Sequence, residues 1–413
     1  MAQTVDVPLE RQNLRALRRL DSLTGLRFFA AFIVFLFHMG ISENPARPTG
    51  PINPFADTGV AHWYGLIFGT GGFVGVSFFF VLSGFVLSWS AKSGETARAF
   101  IRRRIVKIFP NHLATWVLAM VLFAAAYTSW KAWLPNLFLL HAWFPDFSIA
   151  MSVNDPSWSL CCEMLFYLLF PLLIAPISRM SVRRLWAWAA AMVIGLFIYQ
   201  LIAMFVVPHD GSNPNIPISD LQYWFGYFLP VGRLFEFVLG AILARIVLAE
   251  KWIGIKPLAS VALMVCGYVA SMFVPYQFRL NLVTIVPIAV MVASFANADL
   301  RGTRTRLRGR LPVWLGNVSF GFYLAQGVTI FYIRAQMNNA QYSTPIAVLV
   351  LLGLFATTLL LGWCLYQFVE SPMMRRWSRA RPAQSARISA NGEVAPSAAT
   401  HRAEDQSRNE NVH

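Results

Sequence analysis

Residues 22–41 read SLTGLRFFAAFIVFLFHMGI. They form an apolar run broken by only two costly groups, Arg27 and His38. The run is too long for a signal-peptide core, and no small-x-small cleavage site follows it. It predicts an uncleaved first transmembrane helix behind a short basic segment, 1–20, that carries Arg11, Arg15, Arg18 and Arg19. Runs of similar length recur at 68–90, 108–127, 157–177, 185–207, 225–248, 257–274, 280–298, 313–334 and 345–368. Each is near the ~20 residues needed to cross a bilayer. The stretch 132–144 is shorter and flanked by Pro, which predicts a re-entrant or interfacial segment.

Composition agrees with these runs. Apolar residues make up 57% of the 413 and charged residues 13%, at a mean hydropathy of +0.53. A soluble surface of this size needs about 25% charge. The expectation is an all-α, polytopic helix bundle of about ten spans in the lipid bilayer, with the membrane domain at 21–377 and a disordered tail at 378–413. The net charge of +15 is read as loop charge on a membrane protein and not as a nucleic-acid footprint. With the N-terminus inside, the inner loops hold nearly all the Lys and Arg. The outer ones keep only Arg47, Lys131, Arg279 and Arg334. That bias predicts both termini in the cytoplasm, residue 45 outside and residue 305 inside.

No loop is large enough to be a catalytic domain, so the chemistry belongs to the bundle. Cys161, Cys162, Cys266 and Cys364 all lie in apolar stretches without a C-x-x-C, so neither a disulfide framework nor a zinc ribbon is expected. There is no P-loop, no G-x-S-x-G and no metal-ligand cluster. His141 and Asp146 form an H-x-x-x-x-D that is read as coincidence, and His112 is placed at an interface.

Ionisable groups inside a bilayer are expensive and point to function by default. Arg27 and His38 are eleven residues apart, about 16 Å of rise and three turns. They therefore share one face, with Arg27 near the inner mouth and His38 near the outer. A snorkelling arginine and a lone hydrogen-bonded histidine would also satisfy this. Glu163, after Trp158-Ser159-Leu160, is expected at the depth of His38, where a carboxylate suits general-base work; a purely structural glutamate is the alternative. Arg233 and Glu236, at i, i+3, pair on one face, either as an anion site or as a buried structural pair. Gly71 and Gly75 make a small-xxx-small packing face. Ser77, Ser83 and Gly84 are candidates to border a cavity.

In order along the chain, these residues resemble the membrane acyltransferase-3 family of bacterial O-acyltransferases over 20–377. The opening Leu20–Ala31 with Arg27 and His38 is similar to the family's start. Gly75-Val76-Ser77-Phe78-Phe79 with Leu82-Ser83-Gly84-Phe85 is similar to its second-span signature. Arg102-Arg103-Arg104 before Ile108-Phe109-Pro110, and Trp158-Ser159-Leu160 with Glu163, Phe166, Tyr167 and Pro171, follow. Arg233 with Glu236-Phe237 and Gly240, then Leu315-Gly316, Phe322-Tyr323-Leu324, Glu370 and Pro372, complete the resemblance. Two positions depart: Gln326 stands where many members have His, and Cys161-Cys162 replace small residues.

The resemblance implies transfer of an acyl group, often acetyl, from cytoplasmic acyl-coenzyme A to a sugar hydroxyl. The acceptor would be an extracytoplasmic glycan, a glycolipid or a small glycoside such as a macrolide. The enzyme would sit in the bacterial inner membrane, without a permanently bound cofactor and without a fused hydrolase-like domain. On that reading His38 is the general base and Glu163 supports it or the acceptor. Arg27 meets the donor phosphate or thioester, and Arg102, Arg103 and Arg104 attract the anionic donor. Arg233, Glu236, Ser83 and Trp158 shape the substrate cavity. A proton-coupled transporter using the same charges, or a non-catalytic assembly protein, remains open at this point.

Overall fold

A computed structural model describes residues 19–46, 50–92, 94–209 and 216–377. The basic N-terminal segment before residue 19, Arg47 and the tail from 378 lie outside them. The described residues fall within one compact unit, Met1–Ser378.

Among the described residues ten long helices follow one another: α1 Asp21–His38, α2 Gly71–Trp89, α3 Ala97–Leu122, α4 Trp158–Arg179, α5 Leu185–Phe205, α6 Pro230–Leu248, α7 Pro257–Ser271, α8 Leu282–Leu300, α9 Arg310–Gln336 and α10 Thr344–Cys364. Each expected span overlaps one of them. Among the described residues the β pairing is an isolated bridge, Phe55 to Tyr342, so the chain is all-α. Seven stretches are long and apolar enough to cross a membrane: Asp21–His38, Thr58–Trp89, Ala97–Leu122, Asp155–Arg179, Val182–Phe205, Tyr276–Leu300 and Thr344–Trp377. The chain is therefore a multi-pass membrane protein.

The other three long helices fall short for physical reasons. The 15 residues of α7 rise only about 22 Å at 1.5 Å per residue. The central helices α6 and α9 carry polar groups that face protein. Arg233, Glu236, Ser319, Gln326 and Arg334 are all buried, so these helices need no apolar outer surface.

α2 and α6 make the most extensive helix pair. Their crossing is set by glycine: a Cβ on Gly84 would overlap the Phe237 carbonyl, and one on Gly240 the Val81 carbonyl. Gly84 thus serves packing against Phe237. Gly71 and Gly75 do the same against α1, where a Cβ would overlap Ile33 and Val34. Gly84→Ala and Gly240→Ala should each lower the thermal unfolding midpoint of the purified protein in detergent. The expected cost is at least the ~1–3 kcal/mol of an overpacked core, because the obstacle is backbone that cannot rotate away.

The start of α1 is tied down at the same end of the bundle. Asp299 accepts from Ser22 N (2.9 Å) and Ser22 Oγ (2.6 Å), and Ser22 Oγ also bonds Thr305 Oγ1 (2.6 Å). This fixes α1 axially, and with it Arg27 and His38.

Some elements differ from expectation. α3 begins eleven residues before the expected span, because Thr96 caps it by accepting from Ala99 N (3.3 Å). The basic stretch Arg98–Lys107 is therefore helix, not loop. A helix, Thr58–Phe68, precedes α2 and is capped by Asp57, which accepts from Val60 N (3.0 Å). The stretch 132–144, expected to be re-entrant or interfacial, lies among short helices, Trp130–Leu137, His141–Trp143 and Phe147–Ala150. A π-turn, Trp224–Phe228, leads into α6.

Candidate active site

His38 is the last residue of α1 and is 6% exposed. Its Nδ1 lies 2.8 Å from Gln326 Oε1 on α9, and Gln326 Nε2 donates to the Ala31 carbonyl at 3.0 Å. The second bond orients the amide. With Nε2 of Gln326 spent on Ala31, its oxygen faces the ring, so His38 Nδ1 must donate. The ring is thereby held in one tautomer, with Nε2 left as a proton acceptor. Gln326 is the residue that sets this state.

His38 borders a cavity of about 430 Å³ shared with Phe73, Asp155, Trp158, Tyr223, Tyr227, Tyr276 and Tyr323. Val76 and Tyr323 also line a smaller cavity of about 50 Å³, which reaches Arg27, Ser159 and Glu163. Tyr323 Oη meets Ser159 Oγ at 3.0 Å in the wall between the two. Arg27, Phe79, Glu163 and Phe320 then border a third cavity of about 150 Å³, with Ser83, Arg104, Lys107 and Tyr167. Arg104 and Leu87 lead on to a fourth, of about 220 Å³, lined by Lys92, Glu95 and Arg103. A line of adjoining cavities thus runs from a basic end to the His38 end. Arg27 and His38 lie along it on one helix, as their spacing predicts.

Cations crowd the basic end. Arg104 sits over the Phe100 and Tyr167 rings at 5.3 and 5.8 Å. Lys107 pairs with Glu370, whose other oxygen accepts from Asn111 Nδ2 at 2.9 Å. Arg103 pairs with Glu95 and holds that loop carboxyl below its usual range. Arg102 is exposed and borders none of these cavities. Of the three arginines expected to meet the donor, Arg104 is the one that lines the path to Arg27.

One expected grouping does not form, and another forms away from the cavities. Glu163 does not orient His38. It faces Arg27, Arg104 and Lys107 and accepts from Tyr167 Oη at 3.1 Å. Counting from the start of α4, Glu163 is one turn further from the His38 end than Trp158, which does line the His38 cavity. Arg233 and Glu236 pair at 3.2 Å, and Ser77 bridges them, donating to Glu236 at 3.1 Å and accepting from Arg233 at 3.2 Å. The guanidinium is packed on Phe80 and Tyr227 at 5.0 and 4.8 Å. Both residues are fully buried and line none of the four cavities; they hold α6 to α2 and support the aromatic wall from behind.

His112 is buried, with Nε2 3.0 Å from the Asn136 carbonyl. His141 and Asp146 do not act together. His141 is buried, 3.2 Å from Ser157 Oγ and 3.4 Å from Cys161 Sγ, whereas Asp146 caps an exposed turn at Ser148 N (2.8 Å). Gln326, Lys107, Glu370 and Asp155 went unassigned in the sequence. Each takes its place through contacts between distant segments that no local pattern reveals.

The chain is a multi-pass helix bundle in which His38, held in one tautomer, lies at one end of a line of adjoining cavities. The chain belongs to the acyltransferase-3 family, whose sequence model, described as an acyltransferase domain, matches residues 20–367; it is an acyltransferase. It is 37% identical over 380 residues to the acyltransferase MdmB of Streptomyces mycarofaciens, covering 89% of this chain and 95% of that protein. It is 29% identical over 327 residues to the exopolysaccharide production protein ExoZ of Rhizobium meliloti, covering 75% and 92%. It is 24% identical over 397 residues to the putative peptidoglycan O-acetyltransferase YrhL of Bacillus subtilis, covering 88% of this chain and 56% of that protein. No solved structure gives a significant match. Membership in this family favours acyl transfer over the transporter reading.

Proposed function

We propose that this protein moves an acyl group, acetyl in the simplest case, from acyl-coenzyme A to a hydroxyl of a glycan or glycoside across the membrane interior. The observation that carries this reading is the line of adjoining cavities from Arg104 and Arg27 to His38. An anionic donor is attracted at the basic end, where Arg27, Arg104 and Lys107 meet. Its pantetheine arm extends past Phe79 and Tyr323, and the thioester arrives beside His38. The acceptor enters the larger cavity from the other side.

His38 Nε2 then takes the proton of the acceptor hydroxyl. The oxygen forms the new C–O bond at the thioester carbonyl, the C–S bond breaks, and the imidazolium returns its proton to the departing thiolate. No covalent acyl-enzyme is required. Glu163 acts on the donor side, as a counter-charge that keeps the Arg27 and Lys107 cluster ordered when the donor is absent. The decisive experiment incubates full-length protein in detergent with labelled acetyl-coenzyme A and candidate glycans and glycosides. Label in the acceptor with release of coenzyme A supports the reading. Substrate flux in vesicles without acylation refutes it.

The reading also requires ten crossings, with both termini cytoplasmic and His38 at the outer face. Pro45→Cys, in a background without other cysteines, should react with an impermeant maleimide applied from outside. Arg304→Cys should react only after permeabilisation. Labelling of position 304 in sealed cells would overturn the ten-span orientation.

A further inference from the structure

The donor and acceptor sides of the path meet at a neck. The cavity of about 50 Å³ beside Arg27 and the cavity of about 430 Å³ beside His38 have two lining residues in common, Val76 on α2 and Tyr323 on α9. Both are buried, 4% and 5% exposed. A group that passes from the Arg27 side to His38 along this line moves between them.

Both sides of the neck are held in place. Val76 is branched at Cβ, and such a side chain on a helix keeps essentially one χ1 rotamer. Its backbone is fixed by its neighbours. A Cβ on Gly75 would overlap Val34 and the Ala30 carbonyl, and Ser77 is bonded to Glu236 and Arg233. Opposite, Tyr323 Oη donates to the Pro156 carbonyl at 3.1 Å and lies 3.0 Å from Ser159 Oγ, and its ring packs edgewise to Phe79 at 5.9 Å. Turning that ring aside would strip a buried hydroxyl of both partners.

A neck of fixed width selects by cross-section, not by length. On the acyltransferase reading, on which this inference rests, the thioester reaches His38 from the Arg27 side. The acyl group therefore goes through first, and the cysteamine end of coenzyme A follows. That end is an unbranched chain. A neck that admits it also admits an unbranched acyl group, whose chain is no wider. A methyl branch is wider than the chain behind it and must displace Val76 or Tyr323. We propose that Val76 and Tyr323 determine donor specificity, so that unbranched acyl-coenzyme A donors are used and branched ones are rejected.

The test uses two isomeric donors, valeryl- and isovaleryl-coenzyme A, which have the same atoms and differ in one branch. Coenzyme A release by full-length protein in detergent is measured with methyl β-D-glucopyranoside or water as acceptor. Each rate is divided by that of the uncatalysed hydrolysis of the same thioester. The unaltered protein should favour the valeryl donor about tenfold or more in kcat/KM, the usual scale for one misplaced methyl group in a tight apolar site. Val76→Ala should bring the ratio of the two donors close to one, and Tyr323→Phe, which frees the ring from Pro156 and Ser159, should lower it in part. A merely weakened protein would lose both donors alike and keep the ratio. If Val76→Ala does not fold, Tyr323→Phe decides by the same ratio. Equal use of the two isomers by the unaltered protein, or a preference that survives the deciding substitution, overturns the neck and leaves the acyltransferase standing. Turnover of neither valeryl- nor isovaleryl- nor acetyl-coenzyme A overturns the donor path itself, and the neck with it.

Discussion

His38→Ala should abolish acyl transfer while leaving membrane insertion and abundance near those of the unaltered protein. The expected loss is about 10²–10⁴-fold, the usual contribution of a general base. Insertion should survive because the imidazole ends α1 and borders a cavity, so its removal exposes little packed surface. Gln326→Leu gives the accompanying result. The apolar side chain fills similar space but cannot accept from Nδ1, so the ring is free to carry its proton on the wrong nitrogen. A drop of roughly 5- to 150-fold is expected, the value of about 1–3 kcal/mol for leaving one buried polar group without its partner. If the two residues act as a unit, His38→Ala with Gln326→Leu is no slower than His38→Ala alone. Near-normal transfer by properly inserted His38→Ala protein would sink the mechanism. An additive double variant would remove Gln326 from it.

The helices were largely legible in the sequence because lipid imposes a length and a composition on every span. The ten apolar runs each overlap a long helix, and the eleven-residue spacing of Arg27 and His38 put both on one internal path. Packing faces read less evenly. Gly71 and Gly75 announced themselves by spacing, whereas Gly84 needed its partner Gly240 from a segment more than one hundred and fifty residues away. The site was half legible. An ionisable residue inside a span is visible from sequence, but its partner is not. Glu163 was assigned to His38 on depth alone. Helix rotation and the turn separating it from Trp158 place it among Arg27, Arg104 and Lys107 instead. Gln326 was visible only as a departure from a family pattern, because an uncharged amide inside a helix costs too little to stand out. Asp155 precedes α4 in a short turn, Asp155–Ser157, and reads there as an ordinary helix-start residue until the tyrosines of the α6 lead-in close around it.

Arg27→Ala should act at the other end of the path and in a different kinetic constant. The Arg27 side chain borders two adjoining cavities, with Glu163, Phe79 and Phe320 common to both. A guanidinium in this place offers several donors in a planar fork to a phosphate or a thioester oxygen. A hydrogen bond to a charged group adds about 1.5–3 kcal/mol, so its loss should raise KM for acetyl-coenzyme A roughly 10- to 100-fold. KM for the acceptor should stay nearly unchanged, because the acceptor cavity lies beyond Tyr323. Arg27→Lys should recover only part of the loss, since a point charge cannot reproduce a bidentate fork. The remaining charges, Arg104 and Lys107, make the residual donor binding sensitive to ionic strength, and raising salt should weaken it further in both variants. The contrast with His38→Ala is the discriminating feature. One substitution should slow the saturated enzyme, whereas the other should be overcome by more donor. A fall in kcat with unchanged donor KM for Arg27→Ala would place Arg27 at the reacting thioester and away from the coenzyme.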